Sequence, residues 1–134
     1  MAQGFELAGI LAIELFVTKD ERVIVNELAP RPHNSGHYTI EACSFDQFDA
    51  HIRGIAGWPL EQPELLKPAV MVNVLGQHVA PTRALIAEHP EWNMHDYCKA
   101  EVRHDRKMGH ITVLTTTPGN CADLERTGCW DDLK

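Results

Sequence analysis

The sequence lacks the features that mark several large classes of protein. None of its apolar runs approaches the roughly 20 residues that cross a bilayer, and its first residues lack the basic region of a secretory signal. Its four cysteines form no CxxC pair, so reduced thiols are the simplest interpretation. We therefore expect a cytoplasmic chain with no membrane partner.

Positive charge is also scarce. Twelve Lys and Arg residues stand against 19 Asp and Glu residues, which gives a formal net charge of −7 over 134 residues. A field of that sign repels a phosphate backbone, so we expect no nucleic-acid partner. One local basic pocket for a single phosphate stays possible. The 44% of hydrophobic residues and 23% of charged residues are ordinary for a folded domain.

The residue pattern predicts an α+β fold. Residues 10–17 are apolar almost throughout, which is typical of a strand covered on both faces, and residues 22–28 resemble the returning strand. A helix is expected from Ser44 as N-cap, with Gln47 completing a capping box, to Gly57. Further strands are expected at 69–75, 94–102 and 109–116.

Two glutamates are expected to share one face of the predicted hairpin. If residues 18–21 form the turn, Val17 lies opposite Arg22, and Glu14 and Glu27 become diagonal neighbours about 7–8 Å apart. Two carboxylates that close need a positive partner, and Mg²⁺ with phosphate ligands commonly uses one or two carboxylates. The alternative is that both side chains face water on an edge hairpin.

Two groups of basic and polar residues could bind an anion. The loop at residues 29–37, here called the proline loop, carries Arg31, His33, Asn34 and His37, and a guanidinium fork suits phosphate or carboxylate. A second cluster contains Lys99, Arg103, Arg106 and Lys107. Each group could equally be an ordinary solvated loop, and the prolines in the first make a helical zinc pair of His33 and His37 improbable.

Four segments closely resemble 5-(carboxyamino)imidazole ribonucleotide synthase, an ATP-grasp enzyme family of purine biosynthesis. They read VNELAPRPHNSGHYTIEAC at 25–43, FDQFDAHIR at 45–53, PAVMVNVLG at 68–76 and RKMGHIT at 106–112. A resemblance over roughly residues 6–117 is far more specific than a short motif. Other ATP-grasp families share the hairpin glutamates, whereas the PRPHNSGH continuation narrows the choice to this one.

The resemblance implies a role for each candidate residue. Glu14 and Glu27 correspond to the Mg²⁺ ligands, and Asn26 and Glu27 lie beside the ATP phosphates. The catalytic set would be Arg31, His33 and Asn34. Lys99 and Arg106 would hold the ribonucleotide phosphate. Arg106 is preceded by His104-Asp105, where family members often have Pro-Gly, so the turn there is expected to differ.

The resemblance also implies an organisation and a reaction. Residues 1–62 would end the second ATP-grasp lobe, and 66–117 would form a small β-rich C-terminal domain. The tail at 118–134 is expected to be poorly ordered because it mixes glycine, cysteine and charged residues. The family uses ATP and Mg²⁺ to convert 5-aminoimidazole ribonucleotide and bicarbonate to the N5-carboxy product, with ADP and phosphate released. A homodimer is expected for the full-length protein.

Two alternatives remain open. The family has a preceding domain and a glycine-rich loop that this sequence does not contain, so the chain could be a truncated or split piece. Such a piece would act as a folding or interaction module without activity of its own. Another ATP-grasp carboxylase or ligase would have a different acceptor.

Overall fold

A computed structural model describes residues 4, 6–117, 119 and 121–133 of the chain. The chain divides into two compact units, Met1–Leu65 and Leu66–Lys134. Both contain helices and antiparallel strands, which confirms the α+β expectation. Within the described residues, no helix has the length and apolar character needed to cross a membrane.

The first unit is built on a two-stranded antiparallel hairpin followed by short helices. Its elements are β1 (Ala12–Val17), β2 (Val23–Ala29), a 3₁₀ turn (Asn34–Gly36), α1 (Thr39–Ala42) and α2 (Gln47–Ala56). The segment after α2 returns to the start of the helical region, where Cys43 forms a bridge with Leu65.

The hairpin register differs from the predicted one. The turn is one residue longer than expected, because the Thr18 amide donates to the Arg22 carbonyl and Val17 pairs with Val23. A β-bulge then leaves Asn26 as the extra residue, so Glu14 lies directly opposite Glu27 rather than diagonal to it. The longer turn and the bulge shift the register in the same direction, so the two glutamates are paired directly instead of diagonally.

The start of α2 was also predicted wrongly. Asp46 is the N-cap, and its Oδ1 accepts hydrogen bonds from the amides of Phe48 (2.7 Å) and Asp49 (2.9 Å). Ser44 instead exchanges hydrogen bonds with the backbone of Glu64. The predicted end is confirmed, because Gly57 takes a left-handed φ of 67° that suits a residue without a Cβ.

The second unit is a three-stranded antiparallel sheet with helices packed against it. Strand β5 lies between β3 and β4. The elements are β3 (Ala69–Leu75), a 3₁₀ turn (Gly76–His78), α3 (Val79–Leu85), a 3₁₀ turn (Ile86–Glu88), β4 (Asn93–Asp96), β5 (Lys107–Leu114), α4 (Ala122–Arg126) and a 3₁₀ turn (Asp131–Leu133). Strand β4 is much shorter than the predicted 94–102, since the chain leaves the sheet after Asp96.

The second unit has its own hydrophobic core. Its buried members are Val74, Trp92, Ile111, Val113, Leu124 and Trp130. Trp92 and Trp130 meet edge to face with ring centroids 5.8 Å apart. The tail was expected to be poorly ordered, yet its described residues include helix α4 and contribute Leu124 and Trp130 to this core.

Candidate functional site

The paired carboxylates lie at the bulge of the hairpin. The bulge turns the Asn26 side chain towards Glu14, and its Nδ2 donates to Glu14 Oε2 at 2.6 Å. Glu27 is about half exposed, and its Oε2 lies 3.9 Å from Nε2 of His33. Glu14, Asn26, Glu27 and His33 therefore form one connected group. Its carboxylate and amide oxygens are the hard ligands that Mg²⁺ prefers.

The donor set fits a cation that is shared with a substrate rather than a closed protein site. Among the described residues, no three His, Cys, Asp or Glu side chains converge to hold a metal ion. Glu14 and Glu27 supply two carboxylates from directly paired positions on one face of the hairpin. Mg²⁺ commonly takes one or two protein carboxylates and completes its shell with phosphate oxygens and water.

Gln47, which the sequence pattern predicts as a capping-box residue, instead holds the proline loop in place. Gln47 is buried, and its Oε1 accepts from the His33 amide at 2.9 Å while its Nε2 donates to the His33 carbonyl at 2.8 Å. The same Nε2 lies 2.7 Å from Nδ1 of His37. A Cβ on Gly36 would lie only 2.5 Å from Gln47 Oε1, so glycine is needed for this close approach.

These contacts fix the orientation of His33. The Ser35 amide donates to His33 Nδ1, and the Ser35 hydroxyl lies 2.8 Å from the same nitrogen. An Nδ1 that accepts from the backbone leaves the proton of the neutral ring on Nε2, the atom that points at Glu27. Arg31 is exposed and donates from Nη1 to the Pro32 carbonyl. Asn34 begins the 3₁₀ turn that follows His33.

Lys99 and Arg106 belong to the second unit, on the segment of residues 97–107, here called the basic loop. Arg106 is exposed and Lys99 is partly buried, and both side chains donate to carbonyl groups of the loop itself. Lys99 Nζ lies 2.6 Å from the Lys107 oxygen, and Arg106 Nη1 lies 3.2 Å from the Glu101 oxygen. Lys99 also lines a cleft of about 270 Å³ with Cys98, Val102 and Met108.

Two turns shape the basic loop, and each contains a non-glycine residue with a left-handed backbone. Cys98 has φ 51°, and its amide donates to Asp96 Oδ1 at 2.8 Å. That hydrogen bond is the main cause that lowers the pKa of Asp96 below its usual value, and a hydrogen bond from Arg83 is the second cause. Asp105 has φ 59° in the turn closed by the Arg106 amide and the Arg103 carbonyl. The turn before Arg106 therefore forms without the Pro-Gly pair.

Comparison with known proteins finds one matching family model in each unit. The ATP-grasp domain family matches residues 1–48, and the phosphoribosylaminoimidazole carboxylase C-terminal domain family matches residues 69–123. N5-carboxyaminoimidazole ribonucleotide synthase from Staphylococcus saprophyticus is 53% identical over 114 residues. The chain belongs to this synthase family. The match covers 84% of the chain and 30% of that relative, so the chain spans about a third of the length of the curated relatives it matches.

Solved structures of the synthase family are similar in fold. The N5-carboxyaminoimidazole synthetase from Staphylococcus aureus in complex with ADP has a TM-score of 0.89 and 43% identity, with 99% of this chain and 36% of that chain covered. The Aspergillus clavatus enzyme, solved with ADP and 5-aminoimidazole ribonucleotide, has a TM-score of 0.79 and 35% identity. The match covers 93% of this chain and 35% of that chain.

Proposed function

We propose that this chain is the C-terminal part of an ATP-dependent N5-carboxyaminoimidazole ribonucleotide synthase. In the proposed reaction, bicarbonate attacks the γ-phosphate of ATP and ADP leaves. The 5-amino group of 5-aminoimidazole ribonucleotide then attacks the activated carboxyl carbon, and phosphate leaves. The direct pairing of Glu14 with Glu27 at the bulge, with Asn26 bonded to Glu14, is the observation that carries the proposal.

The hairpin residues would act on the phosphates. Glu14 and Glu27 would hold Mg²⁺, with Asn26 and Glu27 beside the ATP phosphates. Mg²⁺ bound there would draw charge from the phosphate oxygens, since a divalent cation stabilises negative charge that develops on them. Asn26 keeps Glu14 in place through its 2.6 Å hydrogen bond, so the carboxylate is oriented before any ligand arrives.

The proline loop would act on the bicarbonate-derived group. Arg31 is exposed, and its guanidinium has donors beyond the one that it uses on the Pro32 carbonyl. It would stabilise the oxygens of the acyl phosphate, while Asn34 supplies an amide. His33 presents Nε2–H beside Glu27, where it can donate to a phosphate or carboxylate oxygen. Catalysis of this kind consists of positioning and charge neutralisation.

The basic loop would hold the 5′-phosphate of the ribonucleotide through Lys99 and Arg106. Both cations donate to single carbonyl oxygens in this structure. A phosphate dianion offers stronger, charge-assisted hydrogen bonds and would compete well for those donors. In this proposal the whole enzyme is a cytoplasmic homodimer of purine biosynthesis.

The metal assignment is tested in a chimera in which this chain replaces the matching part of the Staphylococcus saprophyticus synthase. Glu27→Gln and Glu14→Gln keep the side-chain volume and remove one charge each. We expect ADP release that depends on the ribonucleotide to fall at least about a hundredfold in either variant, the scale for losing one preorganised charge-stabilising group. The matched control is Glu61→Gln, at an exposed position, which should keep the parent rate. Near-parent turnover in either hairpin variant would overturn the metal assignment.

The ribonucleotide site is tested in the same chimera with Lys99→Ala and Arg106→Ala. Loss of one cationic contact to phosphate costs about 1.5–3 kcal/mol, so the KM for the ribonucleotide should rise about tenfold to a hundredfold. The KM for ATP should stay within about twofold, which corresponds to the usual effect of an unrelated surface change. Lys67→Ala, at an exposed lysine outside the basic loop, is the control. A rise in both KM values, or in neither, would contradict a dedicated phosphate site.

Activity assays of the isolated chain and of the chimera distinguish the proposed function from that of a module without activity. We expect the purified 134-residue chain to release no measurable ADP from ATP, because it spans about a third of the relatives it matches. Turnover by the isolated chain that Glu27→Gln abolishes would show that these residues suffice for catalysis. A chimera that folds but turns over no substrate would instead favour the inactive module.

A further inference from the structure

The basic loop carries both candidate phosphate ligands, and its backbone path determines where they lie. Lys99 and Arg106 each donate to a carbonyl within the loop. The loop begins where the Tyr97 amide bonds to the Met108 carbonyl at 2.9 Å. A shift of the loop would therefore move both cations relative to the sheet, and charge-assisted contacts depend strongly on such geometry.

Gln77, in the turn after β3, is bonded to the loop beside Arg106. Its Oε1 accepts from the Asp105 amide at 3.0 Å, and its Nε2 donates to Asp105 Oδ1 at 3.1 Å. The preceding residue allows this approach, because a Cβ on Gly76 would overlap the carbonyl oxygen of Arg103. Gln77, which follows the end of β3, therefore holds the turn at Asp105, one residue before Arg106.

The Gln77 amide also bonds to the C-terminal segment. Its Nε2 also donates to Asp132 Oδ2 at 3.1 Å, and Asp132 Oδ1 accepts from His78 Nε2 at 2.8 Å. His78 is 2% exposed, and its Nδ1 accepts from the Leu75 amide, which leaves Nε2 as the donor. Asp132 lies beyond residue 123, where the family match ends.

We infer that Gln77 is a positioning residue for the phosphate site. It fixes the turn that presents Arg106 and ties the basic loop to Asp132 of the C-terminal segment. The inference rests on the proposed role of Lys99 and Arg106. Gln77 touches no substrate in this scheme and acts only through the loop.

The test is an NMR titration of the 134-residue chain with ribose 5-phosphate, with ribose as the control ligand that lacks phosphate. Gln77→Met keeps an unbranched side chain of similar volume but removes the amide. We expect the Kd for ribose 5-phosphate to rise about threefold to tenfold, the effect of losing one or two hydrogen bonds. Gln77→Ala serves as a second variant, and Gln62→Ala, at an exposed glutamine in the first unit, is the matched control that should keep the parent Kd.

If Gln77 acts by positioning Lys99 and Arg106, its effect on the Kd should depend on the presence of those two cations. In a Lys99→Ala Arg106→Ala background, Gln77→Met should raise the Kd less than about 1.5-fold, since no ligand remains to be positioned. A glutamine with only a structural role would lower the melting temperature and leave the Kd of the folded chain unchanged. That result would overturn the inference alone, and so would an equal rise of the Kd in both backgrounds.

The failure of the underlying phosphate site has a different signature. If Lys99→Ala and Arg106→Ala leave the Kd for ribose 5-phosphate unchanged, or if ribose binds as well as ribose 5-phosphate, the phosphate site itself is wrong. Absence of binding by the parent chain would have the same meaning. The inference about Gln77 would then be overturned together with the site it serves.

Discussion

The two units of the chain differ in what buries their apolar side chains. In the second unit, both faces of strand β5 are covered, and Ile111 is fully buried. In the first unit, β1 and β2 are just as apolar, yet Leu15 and Phe16 are 49% and 57% exposed. Among the described residues of the first unit, the buried hydrophobic side chains are Ala29 and Ala42.

The difference shows that an apolar sequence pattern can predict a strand without predicting that the strand is buried. Residues 10–17 predicted a strand covered on both faces, and the strand is present, but the described residues do not provide the cover. A two-stranded hairpin is marginally stable without such packing. The second unit shows the opposite case, in which the strand pattern is matched by helices and tryptophans from the same chain.

The largest expected contrast comes from removing one apolar side chain in each unit. Trp130→Ala should lower the unfolding free energy of the second unit by about 3–5 kcal/mol, because the indole is buried against Trp92 and its Nε1 donates to the Asn73 carbonyl. Ile52→Ala, at a residue 60% exposed on α2, should change that of the first unit by less than about 0.5 kcal/mol. Urea unfolding followed by NMR signals of each unit measures both, and equal losses would contradict the contrast.

A smaller effect is expected at the glutamine that holds the proline loop. Gln47→Ala removes both hydrogen bonds to the His33 backbone, so the loop should be destabilised by about 1–3 kcal/mol. Hydrogen exchange at the His33 amide should accelerate accordingly, while exchange in β5 stays unchanged. Gln62→Ala is the control, and unchanged protection of His33 would show that the loop is held by other contacts.

The turns of the basic loop allow a test with opposite signs at two cysteines. Cys98 has φ 51°, a conformation that costs non-glycine residues about 1–2 kcal/mol, so Cys98→Gly should stabilise the second unit by about 0.5–1 kcal/mol after the entropy cost of glycine. Cys121, with φ −104°, gains nothing from glycine, and Cys121→Gly should be slightly destabilising. The melting temperatures of the two variants should therefore move in opposite directions, and a decrease in both would refute the strain argument.

The smallest effect is an acid dependence at the C-terminal segment. Hydrogen bonds from Gln77 and then from His78 hold the pKa of Asp132 below its ordinary value of 3.8. A lowered pKa in the folded state means that Asp132 stabilises the fold above about pH 3.8, and that this contribution is lost as the pH falls through the lowered value. The stability difference between the parent and Asp132→Asn should be present at pH 6 and shrink at pH 3. A constant difference would contradict the linkage.

Several features of the candidate site were accessible from the sequence because they depend on neighbours along the chain. Alternation in β1 and β2 was enough to predict that Glu14 and Glu27 share a face, and Gly57 was enough to predict the end of α2. The direct pairing was not accessible. It depends on a bulge at Asn26 and a five-residue turn, and nothing in residues 18–26 distinguishes these from a regular four-residue turn.

The roles of the two glutamines could not be predicted for a different physical reason. Gln47 was interpreted as a capping-box residue, since its spacing from Ser44 fits that local motif, while its partners lie 10 and 14 residues away in the proline loop. Gln77 bonds to residues 28 and 55 positions further along the chain. Hydrogen bonds over such separations leave no periodic signal.

The sequence by itself determined the α+β composition of the chain, the family to which it belongs and the identity of the candidate ligands, because residue type and local spacing carry that information. The tertiary structure decided how those ligands are held. The bulge turns Asn26 onto Glu14, buried Gln47 fixes His33, and Gln77 joins the turn before Arg106 to Asp132. Each of these contacts joins residues distant in sequence, so it exists only once the chain has folded.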